Sequence, residues 1–190
     1  MKTLLDLEGI RTAQLHRLVR RKLGKVEAVD GGVAERSVMI CGGTGCTSSD
    51  SMFIAEAFEQ AVAAQGIQDK IEIVRTGCFG LCELGPVVII YPEEVFYNRV
   101  KVKDVAEIVD KHLLQGKIVN RLVYSQSLEK DGRIKPLHEV DFFHKQQRIA
   151  LRNCGTIDPE DIDEYIAMNG YKALHKVLTT MEPAQVVAEV

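Results

Sequence analysis

Four of the five cysteines fall into two couples: Cys41-Gly42-Gly43-Thr44-Gly45-Cys46 is a C-x4-C, and Cys78-Phe79-Gly80-Leu81-Cys82 is a C-x3-C. Thiolates are the preferred ligands of soft metal centres. A 2Fe-2S rhomb takes two thiolates on each iron, and two cysteine couples supply them in that grouping. The glycines of both loops, Gly42, Gly43, Gly45, Gly77 and Gly80, carry no Cβ, so the backbone can bend round inorganic sulfur and offer it N–H groups. Hydrogen bonds of that kind, with burial, set a cluster's reduction potential. The plant-type spacing C-x4-C-x2-C does not fit. Three other chemistries stay open on the residues alone. A four-cysteine zinc site is one, although these spacings sit at the loose edge of the zinc-knuckle habit. A thiol–disulfide oxidoreductase is a second, but its C-x-x-C is absent. Four unmodified structural cysteines are the third. Gly42-Gly43-Thr44-Gly45 lacks the Gly-Lys-Ser/Thr ending of a phosphate loop.

The elements around the couples predict how they meet. Ser37 to Ile40 is a short apolar run that ends at Cys41, and Ile71 to Val74 leads into Gly77-Cys78 in the same way; both read as strands. Between them Ile54, Ala57, Phe58, Ala61 and Val62 form an i, i+3, i+4, i+7, i+8 stripe. Ser48, Ser49 and Asp50 offer N-cap oxygens, and Gly66 closes the helix. A right-handed βαβ crossover sets both couples side by side at one end of a sheet. Val87 to Tyr91 and Val95 to Tyr97, joined by Pro92-Glu93-Glu94, read as a hairpin, and Val105, Ile108, Val109, His112 and Leu113 as another helical stripe before Gly116. The order β-α-β-β-β-α is that of a thioredoxin-like α/β domain with a mixed sheet. Val119 to Tyr124 reads as a short extended tail.

Outside that unit, residues 3 to 23 predict a helix, with Leu4, Leu7, Leu15, Leu18 and Val19 roughly on one side and Gly24 as its stop. We read it as a docking helix whose basic face is solvated. Asp30-Gly31-Gly32 marks a turn. From Ser125 to Glu139 the chain turns polar, with Asp131-Gly132 and Pro136, and reads as a linker. A helix is expected from an Asp158 N-cap with Pro159 at its first position, ending near Asn169-Gly170. A second helix is expected over about 171 to 178, and a third from Pro183. The last of these runs to the final residue, which suggests a fragment of something longer. The expected organisation is therefore an N-terminal helical extension (1–30), a thioredoxin-like domain (31–124), a linker (125–140) and a helical segment (141–190).

Composition excludes some classes. A formal net charge of −3 with a sequence pI near 6 gives no global electrostatic case for nucleic acid or an anionic membrane. No run approaches the roughly 18 apolar residues of a spanning helix, and Asp6 and Glu8 interrupt any secretory signal or transit peptide. We therefore expect no direct membrane insertion, no nucleic-acid partner and a cytoplasmic location, where cysteines serve as ligands or free thiols rather than disulfides.

Two stretches carry resemblances. CGGTGCTSS followed by TGCFGLCELGPVVIIYPEEVFYNRV closely resembles the thioredoxin-like 2Fe-2S ferredoxins, including the domain in the small NADH dehydrogenase subunit. The C-x3-C-x2-G-P context is specific, and the likeness covers about residues 35 to 124. It implies that Cys41, Cys46, Cys78 and Cys82 are the ligands of one 2Fe-2S cluster. RIALRNCGTIDPEDIDEYIAMNGYKALHKVL resembles the opening segment of the NADH-binding flavoprotein subunit of respiratory complex I and of NAD(P)-linked, including electron-bifurcating, hydrogenases. The two together imply the N-terminal part of a hydrogenase-type flavoprotein subunit, whose partners are a hydrogenase catalytic subunit or further iron–sulfur subunits. The glycine-rich flavin loop, the nucleotide site and the C-terminal C-x2-C-x2-C motif of that family are absent from this sequence. FMN and NAD(P)H are therefore expected in a missing C-terminal part or on a partner chain, and this chain is not expected to be catalytic alone.

Remaining residues have plainer expectations. Cys154, some seventy residues past the last couple, reads as a packed or turn-associated thiol rather than a fifth ligand. None of His16, His112, His138, His144 and His175 has a ligand-like neighbour, and His112 lies on an apolar stripe. Pro86 stands where thioredoxin-like folds often hold a cis proline. Phe79 and Leu81, between ligands, either shield the cluster from water or form a docking patch for a partner.

Overall fold

The computed structural model describes residues 4–23, 35–135 and 137–190. The turn expected at Asp30-Gly31-Gly32 and the stop at Gly24 lie outside the described residues. Four strands, β1 (Arg36–Cys41), β2 (Ile71–Thr76), β3 (Val88–Tyr91) and β4 (Val95–Tyr97), make one mixed sheet in the order β2-β1-β3-β4. β1 and β2 are parallel with Cys41 opposite Thr76, while β1–β3 and β3–β4 are antiparallel.

The strand runs read as continuously apolar because both faces of the sheet are covered. Alternate residues divide between two cores, as the period of 2 requires. Val38 and Ile40 of β1, Ile90 of β3 and Val95 and Tyr97 of β4 face one side. There they meet Ile54, Phe58 and Val62 of α3 (Ser51–Ala64) and Val105 and Ile108 of α4 (Val105–Ile108), which continues as a π-helical stretch, Val109–Leu114. Met39 and Cys41, with Ile89, Tyr91 and Phe96, face the other side. Among the described residues no long helix contributes an apolar side chain to that core. Phe79, Val140 and Phe143 do, drawn from the cysteine loop and from α5 (Asp141–His144) with the turn before it.

The stripe expected after Cys46 is α3, and Gly66 with φ +65 closes it. Its N-cap differs from expectation. Asp50 occupies the position in a left-handed conformation, φ 71, and no side chain caps the helix. A separate four-residue turn, α2 (Thr44–Thr47), carries Cys46 ahead of it. The extended tail is reduced to a single antiparallel bridge, Tyr97 with Val123, beside a 3-10 turn at Asn120–Leu122.

α1 (Leu4–Leu23) forms as expected, but its basic side is not simply solvated. Arg21 is buried, with its guanidinium 2.7 Å from both Glu72 of β2 and Glu164 of α6 (Ile162–Ala167), and Arg17 pairs with the same two carboxylates. The long cationic side chains join α1 to α6, while Leu18 packs on Ile157 and Ala167. The helix expected from Asp158 begins three residues later. Asp158 Oδ1 accepts from the Glu160 N–H and the Asp158 N–H donates to Glu164, so Asp161 becomes the cap, accepting from the N–H groups of Asp163 and Glu164. α7 (Lys172–Thr180) and α8 (Pro183–Glu189) follow. Among the described residues no helix is long and apolar enough to cross a membrane.

Candidate metal centre

The parallel register of β1 and β2 delivers both cysteine loops to one edge of the sheet. The loops are then tied together: the Gly42 N–H donates to the Thr76 carbonyl at 2.8 Å, and the Cys41 N–H donates to the Val87 carbonyl at 3.0 Å. The first loop's glycines lie against the second loop's cysteines, most tightly at Gly43. A Cβ on Gly43 would lie 2.9 Å from Cys78 Cβ and 3.1 Å from its Sγ, and one on Gly45 would lie 3.6 Å from Cys82 Cβ. The C-x2-G-P glycine closes the third side, since a Cβ on Gly85 would meet Cys46 Sγ at 2.7 Å. Gly85-Pro86 is a cis peptide, as the resemblance led us to expect, and so is Tyr91-Pro92, which no sequence signal marked.

The thiols differ in depth. Cys41 and Cys46 are buried, Cys78 is half-buried and Cys82 is exposed. Cys78 Sγ and Cys82 Sγ are 3.9 Å apart, and the Gly80 N–H donates to Cys78 Sγ at 3.2 Å, an approach set by Gly80's φ of +92. Burial pushes the Cys41 thiol up to about 12, against the opposing pull of N–H groups from Phe79 and Gly43. Cys82 is also raised, first by its hydrogen bond with Cys78 and then by that neighbour's charge. Four thiolates packed this way would repel one another; a bound metal centre would supply the positive charge that offsets them and would favour loss of the thiol protons. Among the described residues no three or more His, Cys, Asp or Glu side chains gather about a single point to hold one ion. A rhomb with two thiolates on each iron needs no such single focus. Paired thiols, N–H groups aimed at sulfur and a wall of absent Cβ atoms therefore fit a binuclear cluster.

Several participants escaped the sequence reading. Phe79 is fully covered, and the cover comes from this chain: a Cβ on Gly155, φ +84, would strike its ring at 2.4 Å. The docking reading of Phe79 is thus corrected, because residues 137–157 already occupy that face. Thr76 Oγ1 donates to the Ile157 carbonyl and accepts from the Gly155 N–H, fixing the cover to the strand end that leads to Cys78. Cys154 also arrives here, and a Cβ on Gly77 would lie 2.7 Å from its Sγ. Its distance in sequence hid this, and only the glycine beside it hinted at a close approach. The described histidine rings are not brought to the centre; His112 lies in the opposite core, bonded through Nδ1 to Tyr97 OH at 2.9 Å.

A family model described as "Thioredoxin-like [2Fe-2S] ferredoxin" matches residues 31–113. A 2Fe-2S ferredoxin of Clostridium pasteurianum is 40% identical over 77 residues, 40% of this chain and 76% of that protein. One from Aquifex aeolicus is 54% identical over 82 residues, 43% of this chain and 74% of the relative. This chain belongs to the thioredoxin-like [2Fe-2S] ferredoxin family. A crystal structure of the Aquifex thioredoxin-like [2Fe-2S] ferredoxin aligns with a TM-score of 0.45 and 35% identity, covering 49% of this chain and 99% of that one. Separately, 43 residues (23% of the chain) are 70% identical to the "NADP-reducing hydrogenase subunit HndC" of Solidesulfovibrio fructosivorans, of which they cover 9%. As a member of the ferredoxin family, the chain carries a 2Fe-2S cluster and acts in iron–sulfur electron transfer.

Proposed function

We propose that Cys41, Cys46, Cys78 and Cys82 are the four ligands of one 2Fe-2S cluster, and that the chain is an electron-carrying module of an NAD(P)H-linked oxidoreductase of the hydrogenase or NADH dehydrogenase type. The observation that carries the ligand assignment is the convergence of the two couples in a cradle that Cβ atoms on Gly43 and Gly85 would fill. When bound, the cluster supplies one-electron chemistry between ferric and ferrous iron. The protein's own residues do the rest. The N–H groups of Phe79, Gly43 and Gly80 stabilise negative charge on sulfur, and Phe79, Val140 and Phe143 keep water from the buried couple. Exposed Cys82 leaves one edge open to an electron donor or acceptor.

The parent complex is inferred from the 70% identity to a hydrogenase subunit over 43 residues and from the flavoprotein-like run at 148–178. On that reading the ferredoxin domain (31–124) is joined through 125–140 to the start of a flavoprotein domain (141–190), and electrons pass one at a time to or from FMN. On that reading the FMN and NAD(P)H sites lie elsewhere in the enzyme. The remaining partners are a hydrogenase catalytic subunit or other iron–sulfur subunits in the cytoplasm.

The test is anaerobic purification. The protein should be red-brown, contain about two irons and two sulfides per chain and give an EPR signal on reduction. Colourless protein holding one zinc would instead establish a zinc-stabilised interaction domain.

A further inference from the structure

Beside the thiol cradle runs a groove of about 610 Å³, bounded by Asp50, Gly85 and the stretch Arg99 to Lys103. Its far wall presents three exposed cations, Arg99, Lys101 and Lys103, with Val102 at 46% exposure among them. Asp50 is the lining's single carboxylate. Among the described residues none of the three cations has an ion-pair partner, whereas the nearby Arg121 is taken up by Asp104 and Glu107. A local cationic surface therefore stands on a chain whose formal net charge is −3.

The strip is fixed to the cysteine loop. The Arg99 N–H donates to the Leu84 carbonyl at 2.8 Å and the Val100 N–H to the Pro86 carbonyl at 3.1 Å. Asp104, buried, accepts from the Lys101 N–H and from Arg121, so the turn bearing Lys101 and Lys103 is held from beneath. On the near wall, the Gly85 backbone backs directly onto Cys46 Sγ, where a Cβ would come within 2.7 Å. Whatever rests in the groove thus meets Gly85, whose backbone backs onto Cys46 Sγ and whose N–H donates to the Cys82 carbonyl at 3.1 Å. Cations flanking an exposed apolar residue raise the encounter rate and orient a negatively charged partner, while the apolar contact excludes water at the centre.

We propose that this groove is the docking surface for a small acidic electron-transfer protein, which delivers or removes electrons at the Cys46–Cys82 edge. The proposal rests on the cluster assignment above. In the exchange one electron leaves one partner's centre and enters the other's, and no bond or proton is transferred.

The experiment uses the cluster-loaded chain and a pre-reduced acidic 4Fe-4S ferredoxin, with stopped-flow absorbance as the readout and a photoreduced neutral deazaflavin as the small-molecule control. The second-order rate with the ferredoxin should fall by at least about tenfold as ionic strength rises from about 0.05 to 0.5 M. The combined variant R99E, K101E, K103E should lose about tenfold or more at low salt. Its visible spectrum, EPR signal and rate with deazaflavin should be unchanged. Salt-independent wild-type rates, or a variant as fast as wild type, overturn the docking surface while leaving the cluster assignment intact. A chain without a cluster spectrum fails at the earlier reading instead. If inorganic pyrophosphate fills the groove without slowing the ferredoxin reaction, the cations serve a small anion and the proposal is wrong.

Discussion

The two faces of the sheet are built differently. One is covered by α3 and by α4 with its π-helical continuation, packed on Val38, Ile40 and Ile90. The other, which holds Cys41 and Cys46, is covered by Phe79, Val140 and Phe143 from loops and a four-residue helix. The helical face is periodic, self-supporting and remote from the thiols. The thiol face is irregular, which leaves backbone N–H groups free to bond sulfur where regular secondary structure would consume them. Damage to the first should cost stability and spare the cofactor, and damage to the second should expose or release the cofactor.

The largest expected effects separate the faces cleanly. Cys41→Ala or Cys46→Ala should take bound iron from about two per chain to near zero, because each removes a thiolate that no neighbouring side chain replaces. Phe58→Ala, in the helical core with no solvent exposure, should cost about 3–5 kcal/mol through the cavity it leaves. Its folded fraction should still carry full iron. Iron assay and urea titration together check both, and a Phe58→Ala protein that is folded but bleached would break the comparison.

The next effect belongs to the helical face and to pH. His112 is fully buried; its Nδ1 meets Tyr97 OH, which also accepts the Val119 N–H at 3.0 Å, and its Nε2 has no partner. The ring is held beside the Tyr97 hydroxyl in the apolar core, and desolvation pushes its pKa down to about 4. The charged groups facing it oppose each other, Glu93 favouring the proton and Arg36 disfavouring it. The unfolded chain takes up this proton near pH 6.5 and the folded chain only near pH 4, so between them the unfolded state binds more protons. Stability is therefore fully present above about pH 6.5 and is lost as pH falls towards 4, by about 3 kcal/mol in all. His112→Gln should flatten that part of the stability-versus-pH curve relative to wild type in urea titrations. An unchanged slope would show that His112 titrates normally.

A smaller effect probes the irregular cover. Gly155→Ala adds a Cβ at 2.4 Å from the Phe79 ring and forces alanine to φ +84. It should destabilise by about 1–3 kcal/mol, and the displaced Phe79 should expose the buried couple. The expected signature is faster loss of visible absorbance in air together with a lower urea midpoint. Gly45→Ala, whose Cβ would make only ordinary contact at 3.6 Å, serves as the matched control.

The same contrast governs what the sequence could disclose. The stripes at Ile54 to Val62 and Val105 to Leu113, and the strand runs, followed from periods of 3.6 and 2. The parallel register that unites Cys41 with Cys78 followed from βαβ handedness. On the thiol face, legibility ended with the local C-x4-C and C-x3-C-x2-G-P spacings. The cover supplied by Val140, Phe143 and Gly155 has no period, and its segment is polar enough over 125–139 to read as a linker. The solvated basic face expected for α1 failed at Arg17 and Arg21 because their carboxylate partners, Glu72 and Glu164, lie about fifty or more residues away in sequence. Ion-pair partnerships at such separations leave no local signal.

Cys154 tests how far the thiol face tolerates change. Its Sγ occupies the space where a Cβ on Gly77 would lie, one residue from Cys78. This proximity makes it the natural challenger to the four-ligand assignment. Yet the four loop thiols already form two couples, enough for two irons, and Cys154 belongs to the separate Leu151–Ile157 turn held by the Thr76 hydroxyl. Cys154→Ala should therefore keep about two irons per chain and an unaltered EPR signal. It should lose less than about 1 kcal/mol of stability, the scale of trimming one sulfur from a half-buried site. Bleaching of this variant, with Cys82→Ala still coloured, would transfer the fourth ligand from the exposed end of the C-x3-C to Cys154.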